Sequence, residues 1–424
     1  MQKSKPLSLR RNFSWTFIGN AVYAACQWGM LVVLAKLGSP EMVGQFTLGL
    51  AVTAPIVMLT NLQLDIVQAT DAKEQYAFSD YLGLRLIGTT IALVGIAIVT
   101  LWTGYSLQTS LVILLVGLAK AFESVSDIFH GLIQQHERMD RIAISLMIKG
   151  PLSLLLLGLG VFLSGNVVWG VGGLVFAWVV VLVGCDIRNG TLILNRVPKI
   201  RLSWKTITKL VWLCLPLGLV KMLISLNANV PRYFIEEYLG ERQLGIFAAL
   251  AYLMVAGNMV IFALGESASP RLAKYYAARN ITAFRGLLLK LVGLAALIGG
   301  TAIVVAQVAG TELLTLLYRP EYAENKNLFV LLMVAAAIGY MSSFLGYGMT
   351  AARYFRVQTP LFIIVTATSA MTCLWLLPTQ GLIGAAKALI FAAIVQAVFS
   401  LGVIIHAIYK LKRTKPDESN SEIN

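Results

Sequence analysis

Apolar stretches of 18 or more residues recur along the whole 424-residue chain, and they constrain its fold more than any other feature. Each is long enough to cross a hydrocarbon core about 30 Å thick at about 1.5 Å per residue. Charged residues make up 13% of the chain, well below the roughly 25% of a typical soluble domain. A soluble core has no room for so many apolar helices, so the sequence predicts an all-α polytopic membrane protein of about twelve transmembrane helices.

The positions of the basic residues predict the orientation in the membrane. The predicted spans are 13–35, 42–64, 82–103, 109–130, 142–163, 167–187, 210–230, 244–265, 286–308, 327–348, 358–378 and 382–409. Most of the 34 Lys and Arg residues fall on the side that holds both termini. Basic residues accumulate in cytoplasmic loops, so we expect a multi-pass protein of the cell inner (cytoplasmic) membrane with both termini cytoplasmic.

A basic connection divides the predicted spans into two sets of six. We predict a cytoplasmic N-terminus (1–12), an N-lobe (13–187), a basic cytoplasmic linker (188–209), a C-lobe (210–409) and a disordered cytoplasmic tail (410–424). The net charge of +14 would suggest nucleic acid in a soluble protein. Here the basic residues are scattered over many short loops, and we expect no nucleic-acid partner.

The two sets of helices share a pattern. LAKLGSPEMVGQFTLGLA follows the first span, and EEYLGERQLGIFAALA follows the seventh. Both read Leu-Gly, a short polar turn, Gly-x-Phe and a final Leu-Ala. We expect the first glycine, Gly38 or Gly240, to end one helix and the second, Gly44 or Gly245, to open the next. Coincidence between two ordinary helical hairpins is the alternative explanation.

With these hairpins, the basic N-terminus that runs into RRNFSWTFIGN and the two six-span lobes, the chain resembles the polysaccharide (O-antigen-type) flippases. These belong to the multidrug/oligosaccharidyl-lipid/polysaccharide exporter superfamily. The resemblance covers residues 8–410. It implies two lobes in a V around a central cavity. It also implies translocation of an isoprenoid-pyrophosphate-linked oligosaccharide from the inner to the outer leaflet, with a role in O-antigen, lipopolysaccharide or related polysaccharide biosynthesis.

Lysines deep within the predicted spans are the first candidates for substrate binding. A charge at the centre of a membrane helix costs about 2.5–3.5 kcal/mol on insertion scales. Lys120, Lys149 and Lys221 lie near mid-span, so we expect them to face the protein interior. Lysine binds phosphate as a point charge. We therefore predict that the three lysines line a cavity that holds the pyrophosphate of the substrate.

Further candidates are less deeply placed or uncharged. Arg85 and Lys290 each lie about one turn into the helix that follows corresponding connections of the two halves. They either add to the binding site or extend to the lipid headgroups, which would explain them without function. The amide side chains Asn20, Gln27 and Asn227 are candidates for contacts with sugar hydroxyls. Hydrogen bonding between helices is the alternative for these amides.

Acidic residues and prolines suggest ion coupling and hinges. Glu123 and Asp127 fall with Lys120 on one helix face. They are candidates for coupling to H⁺ or Na⁺, and an internal Lys120–Glu123 pair is the alternative. Pro151 and Pro216 lie close to interior lysines, where a kink could act as a hinge or serve packing.

No enzymatic or metal-binding motif stands out. The sequence contains no GxxxxGK[ST], HExxH or GxSxG. Its four cysteines and three histidines have no metal-type spacing. We therefore expect a transporter rather than an enzyme, with no cofactor and no metal site. The expected partners are a lipid-linked oligosaccharide, membrane lipids and glycan assembly proteins.

Three other functions remain open. A multidrug or organic-cation antiporter of the same fold would have an interior rich in acids and aromatics, whereas we predict a net basic interior here. A membrane-embedded glycan polymerase or ligase usually needs a substantial outer loop or an acidic metal-binding pair, and the predicted outer loops are short. A structural scaffold would not need interior lysines.

Overall fold

The computed structural model describes residues 7–71, 74–195, 197 and 203–413, and all its regular structure is helical. The first helices are α1 (Leu9–Leu37), α2 (Pro40–Asn61), α3 (Leu64–Ala69), α4 (Phe78–Thr103), α5 (Leu107–Gln135), α6 (Met139–Ser164), α7 (Val167–Val181) and α8 (Arg188–Leu194). A π-helix, Leu182–Ile187, joins α7 to α8. The later helices are α9 (Trp204–Tyr252), α10 (Met254–Ala277), α11 (Ile281–Leu317), α12 (Pro320–Ala323), α13 (Lys326–Ala351) and α14 (Phe355–Arg413).

The helices account for about twelve membrane spans. Within the described residues, 9 helical ranges are long and apolar enough to cross a membrane. Two of these ranges, Trp204–Ala277 and Val357–Leu411, are 74 and 55 residues long and are divided by Gly240 (φ 80°) and Gly381 (φ 57°). Only glycine adopts such a conformation without steric cost. Dividing both ranges and adding the more polar α5 gives twelve segments, so the predicted polytopic all-α fold is confirmed.

The repeated glycines act differently from the prediction. Gly38 and Gly240 end helical segments as expected. However, Gly44 and Gly245 lie inside helical segments, because Pro40 already opens α2 and the non-helical residue of α9 is Gly240. A Cβ atom on Gly44 would collide with the backbone of Glu241, and one on Gly245 would collide with the carbonyl of Pro40. The second glycine of each motif therefore permits close packing of the two hairpins against each other.

The chain forms two compact units, Met1–Ala249 and Leu250–Asn424. The predicted division into lobes at 187 and 210 stays a prediction. Of the predicted linker, residues 188–194 form α8, while 196 and 198–202 lie outside the described residues. The predicted N-terminus and tail also fall partly outside them, at 1–6 and 414–424.

In the first unit, α5 has the central place. It contacts α2, α3, α4 and α7, while α1 packs along α6 and α6 along α7. Small residues let the backbones of α1 and α6 approach closely: Gly19 lies against Ala143, and Gly150 against Cys26. This packing brings polar side chains of α1, α5 and α6 to a common region.

The second unit is organised around α13. This helix contacts α10, α11 and α14. Its core is an apolar cluster that includes Leu291, Tyr340, Phe344 and Val365. Tyr340 donates its hydroxyl to the carbonyl of Met254, at 2.7 Å.

Candidate functional site

A cavity of about 390 Å³ lies in the first unit, near the connection between α5 and α6. We call it the charged cavity. Its polar lining is Thr16, Asn20, Tyr23, Asp65, Glu123, Asp127, His130, Gln134 and Lys149. Ionisable groups persist inside a membrane protein when they face such a watery space or a partner.

The carboxylate of Glu123 makes the central polar contacts of the cavity. Its Oε2 lies 2.6 Å from Nζ of Lys120, one turn earlier on α5. Its Oε1 accepts a hydrogen bond of 2.8 Å from the hydroxyl of Tyr23 on α1. The internal Lys120–Glu123 pair considered from the sequence is therefore present. Glu123 is held from two helices at once, so its carboxylate has a fixed position.

Lys149 on α6 approaches the same carboxylate from the opposite side. Its side chain is 1% exposed, and Nζ lies 3.9 Å from Oε1 of Glu123. The ammonium group also lies 4.9 Å from the ring centroid of Trp178 on α7. The ammonium group of Lys120 lies 5.1 Å from the centroid of the same ring. An aromatic face attracts cations, most strongly where water is excluded, so the two lysines share one carboxylate and one indole.

Arg85 on α4 is completely buried. Its side chain is 0% exposed, and Nη2 lies 3.8 Å from Oδ1 of Asp65, which lines the cavity. None of its three guanidinium nitrogens has a hydrogen-bond partner within the described residues. The alternative in which Arg85 extends to the lipid headgroups is therefore wrong. The turn between α2 and α3 places the carboxylate of Asp65 beside α4. This carboxylate holds the Arg85 guanidinium inside the protein.

A second polar group lies behind the cavity. Asp186 in the π-helix is 0% exposed and accepts hydrogen bonds of 2.6 Å from both Ser126 and Ser145. Nε2 of His130, on α5, lies 3.1 Å from its Oδ1. A π-helix has an extra residue in its turn and so changes the face on which the following side chains lie; such turns are frequent at functional sites.

Some predicted site residues lie elsewhere. Asn20 lines the cavity, with its amide donating to the carbonyl of Thr16 at 2.8 Å. Gln27, two turns further along α1, does not line it. Lys221 is exposed on α9, and Asn227 is partly buried there; neither lines the charged cavity. The structure therefore unites Lys120 and Lys149 but does not bring Lys221 to them.

Among the residues that the structure describes, those that line this cavity all belong to the first unit. Lys290 is exposed on α11. The two candidate hinge prolines, Pro151 and Pro216, lie inside α6 and α9, and both helices continue through them. The roles predicted for these residues stay predictions.

The charge balance differs from the sequence-based expectation. The cavity and its immediate surroundings hold three cations, Arg85, Lys120 and Lys149. The same region holds four carboxylates: Asp65, Glu123, Asp127 and Asp186. The prediction of a net basic interior is therefore wrong for this cavity, because the depth of the lysines can be read from the sequence but the acids that neighbouring helices bring to them cannot.

Sequence reasoning missed Asp186, His130, Tyr23 and Trp178. For Asp186 a signal existed, because an acid inside a predicted span has the same insertion cost that singled out the lysines. Tyr23 and Trp178 carried no such signal, since aromatic residues are ordinary in membrane helices. Within the described ranges, no three His, Cys, Asp or Glu residues are grouped as metal ligands.

Comparison with known proteins gives a family and a fold. A family model described as "Polysaccharide biosynthesis protein" matches residues 9–276. A capsular polysaccharide biosynthesis protein of Staphylococcus aureus, CapF, is 28% identical over 395 residues, which cover 92% of this chain and 97% of that protein.

Solved transporter structures share the fold. An inward-facing multidrug resistance MATE family transporter of the MOP superfamily has a TM-score of 0.68 at 14% identity, covering 94% of this chain and 99% of that one. The lipid II flippase MurJ, in an inward closed conformation, has a TM-score of 0.66 at 13% identity, covering 93% and 89%. At such identities the likeness establishes the fold and not the substrate.

Proposed function

Since the chain belongs to the polysaccharide biosynthesis protein family, we propose that it is a flippase for an isoprenoid-pyrophosphate-linked oligosaccharide. The resemblance noted from the sequence is thereby confirmed at the level of the family. The proposed direction is from the inner to the outer leaflet of the cytoplasmic membrane. The fold is shared with a multidrug transporter and a lipid II flippase, which supports transport rather than catalysis.

The observation that carries the proposal is the burial of Lys149 beside a cavity. A lysine that is 1% exposed in a membrane helix is energetically costly unless its charge faces a watery cavity or a counter-charge. Glu123 compensates the charge of Lys149 only in part, since Glu123 also binds Lys120 at a shorter distance. An anionic phosphate that entered the cavity would supply the missing counter-charge.

The cavity offers a defined exchange of partners. In the structure, the Glu123 carboxylate occupies the place between two ammonium groups. A pyrophosphate oxygen that displaced it would gain two charge-assisted hydrogen bonds, which are roughly twice as strong as neutral ones. The hydroxyl of Tyr23 and the amide of Asn20 are placed to bind phosphate or sugar oxygens. Glu123 then acts as the internal substitute for the substrate when the cavity is empty.

Translocation is proposed to proceed by alternating access, as in secondary transporters built from repeats. The proposed location of both termini is the cytoplasm, which the distribution of basic residues favours. Pro151 and Pro216 are candidate hinges, and Lys221, Lys290, Arg85, Gln27 and Asn227 are candidate contacts outside the charged cavity. Glycan assembly proteins and membrane lipids are the proposed partners.

The test is export of glycan by variants at matched expression. We expect Lys149→Ala to reduce surface glycan at least tenfold and Lys120→Ala to reduce it less, because Lys120 is 26% exposed and keeps access to water. Lipid-linked intermediates should then accumulate on the inner leaflet. Lys387→Ala is the matched control, since this lysine on α14 bonds Gln380 at 2.6 Å. Normal export by the Lys120→Ala/Lys149→Ala double variant would refute the proposal.

A second function, export of organic cations, is favoured by one observation. Three carboxylates line the cavity, with the ring of Tyr23 beside them, which is a combination that attracts cations. Purified protein separates the two functions. The flippase binds inorganic pyrophosphate and loses that binding in Lys149→Ala, whereas an organic-cation exporter binds tetraphenylphosphonium and loses it in Glu123→Gln.

A further inference from the structure

The first turns of α9 have two unlike faces. On one face Ile207, Leu210 and Cys214 are 4%, 0% and 0% exposed, in an apolar cluster with residues of α3, α4 and α5. Spacings of three and four residues are those of a helix face packed on a core. The opposite face carries Trp204 and Trp212, which are 71% and 72% exposed. One face therefore fixes α9 to the first unit, while the other directs large apolar side chains away from it.

An open groove of about 880 Å³ follows this outward face. We call it the interfacial groove. Its second wall is formed by Gln75 and Tyr76, which precede α4. The carboxylate of Asp71 accepts hydrogen bonds from the backbone N–H groups of both residues, at 3.0 and 3.2 Å, so this wall is a defined turn. The volume lies within the range of about 300–1,000 Å³ of pockets that bind small molecules.

Two lysines give the interfacial groove a positive charge. Lys205 and Lys209 lie one turn apart on α9, and both are exposed. Of the described residues that line the groove, none is acidic. In the charged cavity Glu123 lies between two ammonium groups, whereas here the lining supplies no such counter-charge. The groove is therefore complementary to an anion.

The charged and apolar parts of the groove follow each other along α9. The membrane span predicted from hydropathy begins at residue 210, so Lys205 and Lys209 lie at the level of the lipid headgroups. Trp212 and Leu213, which are 72% and 54% exposed, lie within the span. Tryptophan is enriched at this boundary because its ring is apolar and its N–H is polar. A phospholipid has the same order, with a phosphate followed by acyl chains.

From this juxtaposition we propose that the interfacial groove binds an anionic phospholipid of the leaflet that faces the basic loops. The phosphate lies between Lys205 and Lys209, and an acyl chain lies along Trp212 and Leu213. Ammonium groups form charge-assisted hydrogen bonds with phosphate oxygens, and basic pockets between membrane helices on the cytoplasmic side bind anionic headgroups. The proposal gives the expected contact with membrane lipids a place and a charge class, and it does not depend on the flippase function.

Two other lipids fit the groove less well. A zwitterionic phospholipid brings an amine whose positive charge two lysines repel. A lipid-linked oligosaccharide needs hydrogen-bond partners for many sugar hydroxyls. Among the described lining residues, the uncharged polar side chains are those of Gln75, Tyr76 and Thr208. An anionic phospholipid satisfies the two lysines without that requirement, and it bridges α9 to the turn before α4.

Quenching of tryptophan fluorescence by brominated lipids tests the proposal. The full-length protein is reconstituted in mixed vesicles in which either phosphatidylglycerol or phosphatidylcholine carries brominated acyl chains. The chain has eight tryptophans, so the difference between the wild type and Trp204→Phe/Trp212→Phe isolates the signal of the groove. We expect brominated phosphatidylglycerol to quench this signal beyond its share of the bilayer, and brominated phosphatidylcholine to quench it less. Equal quenching by the two lipids would overturn the proposal.

A charge variant locates the phosphate. Each basic residue near an anionic surface contributes roughly fivefold to binding, so Lys205→Ala/Lys209→Ala should lower the preference for phosphatidylglycerol by about tenfold or more. Arg271→Ala/Lys274→Ala is the matched control, because it removes two exposed cations from α10 in the second unit. This control should keep the preference of the wild type. An unchanged preference in Lys205→Ala/Lys209→Ala would overturn the assignment to the groove.

A competition experiment separates a phospholipid from a lipid carrier of the substrate. A polyisoprenyl phosphate is titrated against brominated phosphatidylglycerol, with unbrominated phosphatidylglycerol as the reference competitor. We expect the polyisoprenyl phosphate to compete no better than the reference. Displacement at a tenfold lower concentration would overturn the proposal, because the groove would then select the isoprenoid carrier. None of these measurements uses glycan export, so their outcome leaves the flippase function to its own test.

Discussion

The two units differ in what they bury. Within the described residues, the first unit buries four acidic or basic side chains: Asp80, Arg85, Lys149 and Asp186. In the described part of the second unit, no Asp, Glu, Lys or Arg side chain is buried, and the buried polar groups include the hydroxyls of Ser342, Ser369 and Ser400. A hydroxyl can find an acceptor on its own helix, as Ser342 does with the carbonyl of Ile338. A charge requires partners from other helices.

The difference shows that two helical units of one chain carry unequal chemistry. Arg85 and Lys290 hold comparable positions in the two halves of the sequence, yet Arg85 is buried beside Asp65 and Lys290 is exposed. The first unit therefore concentrates the charged groups, and its energy depends on their mutual arrangement. The second unit depends on apolar packing around α13.

The largest expected effect is the loss of Asp186. Asp186→Ala removes the acceptor of Ser126, Ser145 and His130, and breaking a buried charged network costs about 3–5 kcal/mol. The free energy of unfolding in detergent measures it. Ser342→Ala in the second unit is the control, with an expected loss of at most about 1.5 kcal/mol. Equal losses would remove the distinction between the units.

The next largest effect on stability is expected at a closely packed glycine. Gly44→Ala forces a methyl group into the backbone of Glu241, and overpacking of this kind costs about 1–3 kcal/mol. Gly286→Ala in the second unit meets open space and should gain up to about 1 kcal/mol from helix propensity. Thermal unfolding of the two variants compares them. A stabilised Gly44→Ala protein would contradict the contact between the hairpins.

Two tyrosine hydroxyls, one in each unit, allow a loss of export to be distinguished from a loss of stability. Tyr23→Phe removes the hydrogen bond to Glu123, and Tyr340→Phe removes the one to the carbonyl of Met254. Each should cost about 1 kcal/mol in unfolding free energy. Glycan export should fall only in Tyr23→Phe, because only that hydroxyl belongs to the charged cavity. Loss of export in both variants would mean that stability alone explains the defect.

The smallest effect is expected at the exposed ion pair. Nη1 of Arg242 lies 2.7 Å from Oε1 of Glu41, and the two side chains are 51% and 41% exposed. Such pairs contribute about 0–1 kcal/mol because water and salt screen them. Glu41→Gln should therefore shift the unfolding free energy by less than that amount, with high salt abolishing the difference. A larger loss would place this pair among the buried networks.

Much of the fold could be predicted because each helix carries its own signal. Hydropathy located the spans, and Gly240 and Gly381 lie where predicted spans are separated. The role of Gly44 and Gly245 was not predictable, since a glycine that opens a helix and one that admits another backbone look alike in sequence. Lys120 and Lys149 were found from their depth. Lys221 does not line the charged cavity, and sequence could not show this because depth along a helix does not specify the face.

The sequence by itself determined that the chain crosses a membrane many times as helices, and that Lys120 and Lys149 lie at a depth where charge is costly. Those properties are local, because insertion depends on the composition of each segment. Only the tertiary structure decided that Glu123 lies between the two lysines and that Asp186 faces His130. Electrostatic partners are fixed by distances of a few ångströms between helices that are remote in sequence, and packing alone sets those distances.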